Sequence, residues 1–408
     1  MNVRNFKTIG DICIAQANVV GNDYVVGDIH GNLNVLIEAH KDLKSDDRLI
    51  IVGDLTDRGE NNLGVIQYIV NNKAAPIIVL QGNHEDMCIE TVMALESIAH
   101  VVVEAANKNS LPLKEMGIYF KLDDEIVPPN AGDTISQRIV KYANHLCEVF
   151  SAKMTDEFLS IVNHGVRNNG GMWLIKLFFE ELDSGLITLN NDSNHSVSYS
   201  KNSKIEMIYN YLITCPFIFT AEGSSNRIPF MVAHSDIPLA DNDERLTRGG
   251  NLTDVEKHQA IWDKQQADGK MPHNKRCEDS VLLIVGHQPV AFPHVRSVRE
   301  ESNTVNIDWA AYCSGQLLRV NVSTNTVEVF TYNANTYERL GEQKELIAQH
   351  LTKNEIKYQN SLAKKSEQPS FSTSLGVFST SDITKASSFA ADTNISGPAA
   401  KRKKLTVV

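Results

Sequence analysis

The sequence predicts an α/β fold in which parallel strands alternate with helices, and three observations lead to this. Apolar runs rich in β-branched residues lie at residues 24–27, 48–52 and 76–80. The two segments between these runs carry apolar residues at helical spacing. Each run is followed at once by a turn that contains glycine. A βαβαβ order of this kind implies parallel strands joined by right-handed crossovers.

The predicted elements follow the chain in order. The helix LNVLIEAHKDL, at residues 33–43, joins the first two strands, and NNLGVIQYIVNN, at residues 61–72, joins the second and third. Two further apolar runs, at residues 228–233 and 281–285, have the length and composition of buried strands. The sequence therefore predicts five core strands, three near the beginning and two in the second half.

Composition limits the classes of protein that the chain can belong to. Its 408 residues, 42% hydrophobic and 22% charged, fit one large or two ordinary globular domains. A net charge of −11 argues against a nucleic-acid partner, because such proteins concentrate Lys and Arg. The apolar runs are too short to span a bilayer, so we predict no membrane insertion. The six cysteines form no CxxC pair, which favours a reducing, cytoplasmic location.

Every predicted core strand ends in a potential metal ligand. The motifs are GDIHG at 27–31, GDLTDRG at 53–59, QGNHE at 81–85, His234 in VAHSDIP and His287 in VGHQPV. In α/β sheets the functional crevice lies beyond the carboxyl ends of the strands, so we expect these side chains to converge. Asp, Asn and His ligands without a thiolate suit Mn²⁺, Fe or Zn²⁺.

The number of potential ligands indicates two ions. Six are too many for one ion that keeps an open position, whereas a carboxylate such as Asp54 can bridge two ions about 3.5 to 4 Å apart. A bridging water would lose a proton near neutral pH and could attack a phosphoryl group in line. The alternative for any single motif is an ordinary turn, because Asp and Asn favour turns. Three motifs in order, followed by two strand-end histidines, favour the metal site.

GDIHG, GDLTDRG and GNHE together resemble the signature of the PPP family of metallophosphatases, within the calcineurin-like metallophosphoesterase superfamily. NNGGMW, at 168–173, resembles a segment of short bacterial and phage-type serine/threonine protein phosphatases, and the segments at 258–264, 286–290 and 306–322 resemble the end of their catalytic domain. The resemblance implies a calcineurin-like β-sandwich flanked by helices, with the catalytic domain at 1–335.

The resemblance also implies a role for each matching residue. The implied metal ligands are Asp28 and His30 for the first ion, Asp54 as the bridge, and Asn83, His234 and His287 for the second. His84 would protonate the leaving oxygen, oriented by Asp57, while the implied phosphate-binding residues are Arg58, Asn83 and Lys264. These roles agree with the chemistry of the residue types. The planar guanidinium of Arg offers N–H donors that match phosphate oxygens, and His titrates near neutral pH. The implied cofactors are two divalent ions, with Mn²⁺ favoured and Fe or Zn²⁺ as alternatives.

Several positions depart from the family pattern. Gln81 and Lys264 stand where relatives carry Arg, and Asp236 replaces a glycine after His234. Asp236 could tune the metal site, repel polyanionic substrates or cap a turn. The remaining histidines, His164 among them, lack a strand-end context, so the sequence predicts ordinary core or surface residues there.

The spacing predicts an insertion and a tail. His84 and His234 are far apart in the sequence, and the segment at about 87–217 has a composition that favours helices. We therefore predict a mainly helical cap or lid that selects substrate. The alternative is a peripheral insertion. Residues 336–362 read as a helix and 363–408 as a disordered, Ser/Thr-rich tail. Its basic cluster KRKK reads as an address signal or as solubilising charge. The tail resembles translocation signals of secreted bacterial effectors, which implies export into a host cell.

The sequence thus predicts a metal-dependent phosphomonoesterase, namely a PPP-type protein phosphatase whose partner is a phosphoprotein. Phosphoserine and phosphothreonine are the expected substrates, with phosphotyrosine open, and hydrolysis would proceed by direct attack of a metal-bridging hydroxide. Two alternatives remain: a diadenosine polyphosphate hydrolase with the same site, and a phosphate-binding scaffold that has lost turnover. Gln81 and Lys264 favour the scaffold, whereas the complete ligand set favours an enzyme.

Overall fold

Two β-sheets face each other in the computed structural model, with helices on their outer sides. The structure describes residues 6–108, 112–114, 116, 135–149, 156–165, 169–190, 196–225, 227–239, 243–263, 281–290, 298, 303–331 and 338–367. The strands within these ranges are β1 Phe6–Ile9, β2 Ile12–Ala15, β3 Asp23–Val26, β4 Arg48–Ile51, β5 Ile77–Val79, β6 Ile187–Leu189, β7 Val197–Tyr199, β8 Ile218–Ala221, β9 Phe230–Ala233, β10 Leu282–Val285, β11 Thr304–Asn306, β12 Gln316–Asn321 and β13 Thr326–Thr331. The helices are α1 Leu33–His40, α2 Asn62–Asn71, α3 Asn83–Lys108, α4 Ile135–Val149, α5 Asp156–Gly165, α6 Met172–Asp183, α7 Lys204–Leu212, α8 Arg245–Arg248, α9 Asp254–Trp262, α10 Ala311–Ser314 and α11 Glu338–Glu367.

The first sheet contains the predicted βαβαβ unit. Its strand order is β13-β12-β3-β4-β5, and β3, β4 and β5 pair in parallel. Helices α1 and α2 form the crossovers, as predicted. All four residues of β4, RLII, are buried, as expected for a parallel strand covered on both faces. The three motifs that follow these strands therefore lie along one edge of one sheet.

The second sheet supplies the two remaining strand ends. Its order is β1-β2-β8-β9-β10-β11, with β9 and β10 parallel to each other. These two strands match the runs predicted at 228–233 and 281–285. The neighbouring strands β1, β2 and β8 were not predicted, and the structure shows that they complete the sheet beside β9.

Successive side chains of each strand point to opposite faces of its sheet, and this alternation separates the interior of the sandwich from its two outer layers. Val25 and Ile50 of the first sheet lie in one apolar cluster with Val232 and Ile284 of the second, which forms the interior of the sandwich. The alternate residues of the first sheet, Val26 among them, belong to a cluster shared with the helices α1 to α7. The opposite face of the second sheet packs against α8 and α9. The predicted β-sandwich flanked by helices is confirmed.

The segment between the third motif and β8 is mainly helical where the structure describes it. Helix α3 begins at Asn83, within the GNHE motif, and continues to Lys108. Helices α5, α6 and α7 contact it, and β6 and β7 form a small hairpin. The helix that begins at the candidate site is therefore the one that opens the insertion. The boundary of the insertion at about 87 and the role of the insertion as a lid stay predictions.

The last element that the structure describes is the long helix α11. Ile347 and Leu351 of this helix are buried in the interior cluster of the sandwich, and the Tyr358 hydroxyl donates to the Ser224 carbonyl at 3.3 Å. The chain divides into units 1–365 and 366–408, and of the second only the end of α11 is described. The predicted disordered tail otherwise lies outside the described residues. None of the described helices combines the length and apolarity needed to cross a bilayer.

Candidate metal centre

The loops that follow the core strands adopt an uncommon backbone conformation. Left-handed φ angles between 45° and 72° occur at His30, Asp54, Asp57, Arg58 and His287. Residues other than glycine rarely adopt this region, and such strain concentrates at functional sites. All five were predicted site residues. The strand ends are therefore not ordinary turns but loops that hold particular side chains at an energetic cost.

Asp54 occupies the middle of the candidate centre. Its Oδ2 lies 3.5 Å from His30 Nε2, and its Oδ1 lies 3.3 Å from His234 Nε2. Burial would raise the pKa of Asp54, but the charges of the surrounding histidines, His234 first, outweigh burial and lower it. Asp54 is therefore a carboxylate with one oxygen facing each side of the centre, which is the geometry of a bridging ligand.

On one side of Asp54, three predicted ligands converge on a common point. Asn83 Oδ1 lies 3.0 Å from both His234 Nε2 and His287 Nδ1, and these two nitrogens are 3.1 Å apart. Asn83 is the first residue of α3, while the two histidines follow β9 and β10. Lone pairs from three separate elements are brought together here, and such a donor set fits a divalent ion.

The histidines are oriented from behind by backbone carbonyl groups. His30 Nδ1 lies 2.9 Å from the Thr56 carbonyl oxygen, and His234 Nδ1 lies 3.1 Å from that of Val52. Each Nδ1–H donates to its carbonyl, which assigns the lone pair to Nε2. In His234 this nitrogen faces Asp54, and in His30 it lies near both Asp54 and Arg58 Nη1. Burial, the largest effect, lowers the pKa of both imidazoles. The pattern is that of histidines prepared to bind a metal ion.

Asp28 lies at the edge of this arrangement together with an acid that was not predicted. Its Oδ2 accepts the backbone N–H of His287 at 3.2 Å. Burial and the nearby charge of Asp308 raise the pKa of Asp28 well above its usual range. Burial likewise raises the pKa of Asp308 to about 7. Asp308 lies in the segment NIDWAAY, where the resemblance covered the stretch but singled out no residue.

Glu85 of the GNHE motif holds the Asp54 loop. Its carboxylate accepts the backbone N–H groups of Asp54 and Leu55, each at 2.7 Å, and that of Gly82 at 2.9 Å. Three donors on one buried carboxylate fix the left-handed Asp54 turn. Burial and the charge of Asp54 raise the pKa of Glu85 to about 7. This positioning role was not predicted, although the residue stands in the motif.

Two glycines allow the carboxylates to approach the backbone. A Cβ atom on Gly82 would lie 2.4 Å from Asp54 Oδ1, and one on Gly286 would lie 2.2 Å from Asp28 Oδ1. Both positions exclude any side chain. The glycines of GNHE and GHQPV therefore serve the placement of the neighbouring acids.

His84 and Asp57 form a buried pair beside the centre. His84 Nδ1 lies 2.7 Å from Asp57 Oδ2, and its Nε2 lies 3.9 Å from Asp54 Oδ2. That Nε2 is buried and lacks a hydrogen-bond partner among the described residues. Burial would lower the pKa of His84, but the charges of Asp54 and Asp57 outweigh burial and raise it. His84 thus presents a proton-bearing nitrogen to the centre.

Arg58 and Tyr312 close the side of the centre near His30. Arg58 Nη1 lies 2.8 Å from His30 Nε2, and its Cζ lies 4.9 Å from the Tyr312 ring centroid. The Tyr312 ring also meets His30 edge-on, with centroids 5.2 Å apart. Tyr312 therefore supports both residues; like Asp308, it lies in the 306–322 segment, where the resemblance singled out no residue. Lys264, the other predicted phosphate-binding cation, lies outside the described residues.

His164 and Trp173 contact the centre from the insertion. His164 Nε2 lies 2.8 Å from Asp57 Oδ2, and the Trp173 indole N–H donates to Asp57 Oδ1 at 2.7 Å. The sequence predicts an ordinary histidine at position 164; the structure instead places it against the partner of His84. Trp173 belongs to the NNGGMW segment, so the resemblance of that segment was the sequence feature that could have indicated a role for it. Asp236, beside His234, accepts the backbone N–H of Ile237 at 2.7 Å, and its three suggested roles stay predictions.

Comparison with known proteins agrees with this geometry. Residues 24–199 match the model of the family described as calcineurin-like phosphoesterase. The matched part of the chain, residues 24–199, is a calcineurin-like phosphoesterase domain. The family resemblance read from the GDIHG, GDLTDRG and GNHE motifs is thereby confirmed, and the residues of all three lie within the matched range.

Curated relatives of this phosphoesterase domain fall into two groups. Serine/threonine-protein phosphatase 1 of Salmonella typhimurium is 34% identical over 77 residues, which cover 18% of this chain and 34% of the relative. Symmetrical bis(5'-nucleosyl)-tetraphosphatase of Coxiella burnetii is 34% identical over 99 residues, covering 22% of this chain and 33% of the relative. The chain thus spans about a third of the length of these relatives.

The chain also shows similarity to several solved structures, among them a putative diadenosine tetraphosphatase, at 14% identity and a TM-score of 0.40, covering 80% of this chain and 100% of that one. A Saccharomyces cerevisiae protein serine/threonine phosphatase has 13% identity and a TM-score of 0.34, covering 82% of this chain and 87% of its own. A cold-active protein-tyrosine phosphatase from a Shewanella species has 11% identity and a TM-score of 0.32, with 80% and 83% covered.

Divalent ions are expected to stabilise the protein, and more at about pH 8 than at about pH 5. The raised pKa of Asp28 and that of Asp308, about 7, mean that protons occupy these carboxyls at low pH and compete with an ion. In the metal-free protein the stability that these protons provide is lost as the pH rises through about 7. An ion at a hundredfold excess over its Kd would then add about 2.7 kcal/mol.

Thermal unfolding with EDTA or with added Mn²⁺, at both pH values, measures this effect. Asp42→Asn is a matched control, because Asp42 pairs with Arg319 away from the centre. The control should keep the full ion-dependent shift in Tm. An equal shift at both pH values would contradict proton competition, and no shift at either would contradict the metal site.

Proposed function

We propose that the chain is a metal-dependent phosphomonoesterase, and specifically a PPP-type protein phosphatase acting on phosphoserine and phosphothreonine. The observation that carries the proposal is Asp54 between two groups of ligand atoms, with His84 directed at the same point. A carboxylate shared by two ligand groups, beside a proton donor and an arginine, suits hydrolysis of a phosphate ester.

Two divalent ions fit the residues present. The first would be held by His30 and Asp54, whose ligand atoms lie close together, with Asp28 as a further ligand at the edge of this group, and the second by Asp54, Asn83, His234 and His287. Oxygen and imidazole donors favour Mn²⁺, with Fe or Zn²⁺ as alternatives. When bound, the ions would supply charge stabilisation for the phosphoryl group and a water acidic enough to act as nucleophile.

The residues of the chain supply proton transfer and orientation. His84 donates its Nε2 proton to the leaving oxygen as the phosphorus–oxygen bond breaks, and water supplies the oxygen that appears in phosphate. Asp57 accepts the Nδ1–H of His84 and stabilises the imidazolium. Arg58, supported by Tyr312, donates to the phosphoryl oxygens. Hydrolysis is direct, so phosphate leaves with inverted configuration and no phosphoenzyme forms.

A dinucleoside polyphosphate hydrolase is the second candidate, and two observations favour it. The Coxiella burnetii relatives are named symmetrical bis(5'-nucleosyl)-tetraphosphatase. In addition, the Trp262 ring meets His287 edge-on at 6.2 Å and stacks with His258 at 6.3 Å. An aromatic ring beside one ligand group could stack on a nucleobase.

A panel of substrates tests the proposal. Phosphoserine, phosphothreonine and phosphotyrosine peptides are compared with diadenosine tetraphosphate, each with Mn²⁺, Zn²⁺ or Fe²⁺. We expect metal-dependent release of phosphate with the highest kcat/KM on phosphoserine or phosphothreonine. A higher kcat/KM on diadenosine tetraphosphate would contradict the protein-phosphatase proposal and support the dinucleoside polyphosphate hydrolase. Absence of turnover with every ion and substrate would leave a phosphate-binding scaffold.

A further inference from the structure

The Asp57 carboxylate is held by three side-chain donors. Oδ2 lies 2.7 Å from His84 Nδ1 and 2.8 Å from His164 Nε2, while Oδ1 accepts the Trp173 indole N–H at 2.7 Å. Asp57 itself is fully buried. Burial would raise the pKa of Asp57, but the two imidazoles, His164 first, outweigh burial and lower it. Two of the three donors, His164 and Trp173, come from within the insertion.

His164 is fixed at both ring nitrogens. Its Nδ1 lies 2.8 Å from Thr91 Oγ1, and Thr91 stands two turns after His84 on the same helix, α3. If the threonine hydroxyl donates to Nδ1, the proton of His164 is on Nε2 and is donated to Asp57. Cys88 Sγ, at 3.8 Å from His164 Nε2, is the more distant neighbour. The ring therefore links Asp57 to the helix that carries His84.

The glycine pair of NNGGMW closes this arrangement. A Cβ atom on Gly171 would lie 2.3 Å from His164 Cδ2, and one on Gly170 would lie 2.3 Å from the backbone nitrogen of Arg58. Gly170 also has a φ of +84°. The segment thus lies directly against the loop in which Asp57 and Arg58 adopt left-handed conformations. This part of the insertion supports the proton-donating pair from behind.

We propose that His164 is a positioning residue for proton donation: it fixes the Asp57 carboxylate, and through it the ring of His84 that protonates the leaving oxygen. The inference rests on the proposed phosphatase function. It gives the insertion a role besides the predicted one of a lid, because His164 of α5 and Trp173 of α6 hold Asp57, which lies on a loop of the sandwich. Loss of His164 leaves the Asp57 carboxylate held by Trp173 and His84 alone, so Asp57 is less firmly oriented and His84 Nε2 is less accurately directed.

The test compares two substrates that differ in their need for a proton. His164→Leu is expected to lower kcat for a phosphoserine peptide by about tenfold to a hundredfold, with KM little changed. The loss for p-nitrophenyl phosphate should be several-fold smaller, because its leaving group departs without protonation. His164→Gln keeps a side-chain N–H for Asp57 and should recover most of the activity.

His40→Leu is the matched control. His40 is buried and bonded to Tyr68 and the Ala75 carbonyl, away from the centre. Its replacement should lower thermal stability without altering the ratio of kcat values on the two substrates. If His164→Leu changes both kcat values by the same factor, or neither, the positioning role is overturned.

A second measurement does not depend on turnover. In metal-free protein with isotope-labelled histidine, the His84 Nδ1–H proton should give a downfield NMR resonance typical of a strong bond to a carboxylate. His164→Leu should shift or broaden it, and His164→Gln should restore it. An unchanged resonance contradicts the inference, whereas wild-type protein without turnover on any phosphate ester contradicts the proposed function instead.

Discussion

Replacement of His84 by alanine is expected to lower kcat for a phosphoserine peptide by about 10²- to 10⁴-fold, the usual contribution of a general acid. The reason is geometric: His84 is the imidazole bonded to Asp57 through Nδ1, with its Nε2 directed at Asp54. KM should change little, since proton donation acts in the transition state rather than in substrate binding. Steady-state kinetics with saturating Mn²⁺ measures both parameters.

Metal content separates this role from a ligand role. His84 Nε2 lies within reach of the His30 and Asp54 ligand atoms, so a direct bond to an ion is the competing interpretation. We expect the His84→Ala protein to bind the same number of ions as wild type, and to lose less activity on p-nitrophenyl phosphate than on the peptide. Loss of an ion on this substitution would identify His84 as a ligand.

The sequence predicted which side chains converge at the strand ends, because the signals for them are local; their roles stay predictions. The strands are short buried apolar runs, and each is followed directly by the residues that the structure brings to the sheet edges. His234 and His287 were predicted by the same rule, although they follow strands of the second sheet. The rule holds because the two sheets face each other, so that both sets of strand ends meet.

The residues that support the centre could not be predicted in the same way. His164 is 107 positions from Asp57, and Trp173 is 116 positions away, so their contacts depend on how α5 and α6 pack on α3. Asp308 depends on the placement of the loop after β11. The unpredicted strand β1, FKTI, is four residues long and largely exposed, so it carries no run of buried apolar residues.

Replacement of Asp54 by asparagine is expected to remove at least one ion and to abolish measurable metal-dependent turnover. The loss should exceed the roughly 10- to 100-fold typical for residues that only orient a ligand. Asp54 stays ionised in the buried centre, and its two oxygens face His30 and His234 on opposite sides. Asparagine keeps one oxygen but removes the charge and the second ligand atom. Metal analysis and phosphate release measure the two losses.

Stability distinguishes this result from simple misfolding. The charge of Asp54 raises the pKa of Asp28, Asp308 and Glu85, which shows that it repels three buried acids in the metal-free protein. Asparagine relieves this repulsion and keeps an Oδ1 to accept the backbone N–H of His84. It also gives up the attraction of the surrounding histidines that lowers the pKa of Asp54, so metal-free Asp54→Asn protein should still unfold cooperatively, at a temperature somewhat below that of metal-free wild type, while gaining less from added Mn²⁺. A variant that binds two ions and retains turnover would show that Asp54 is not the bridge.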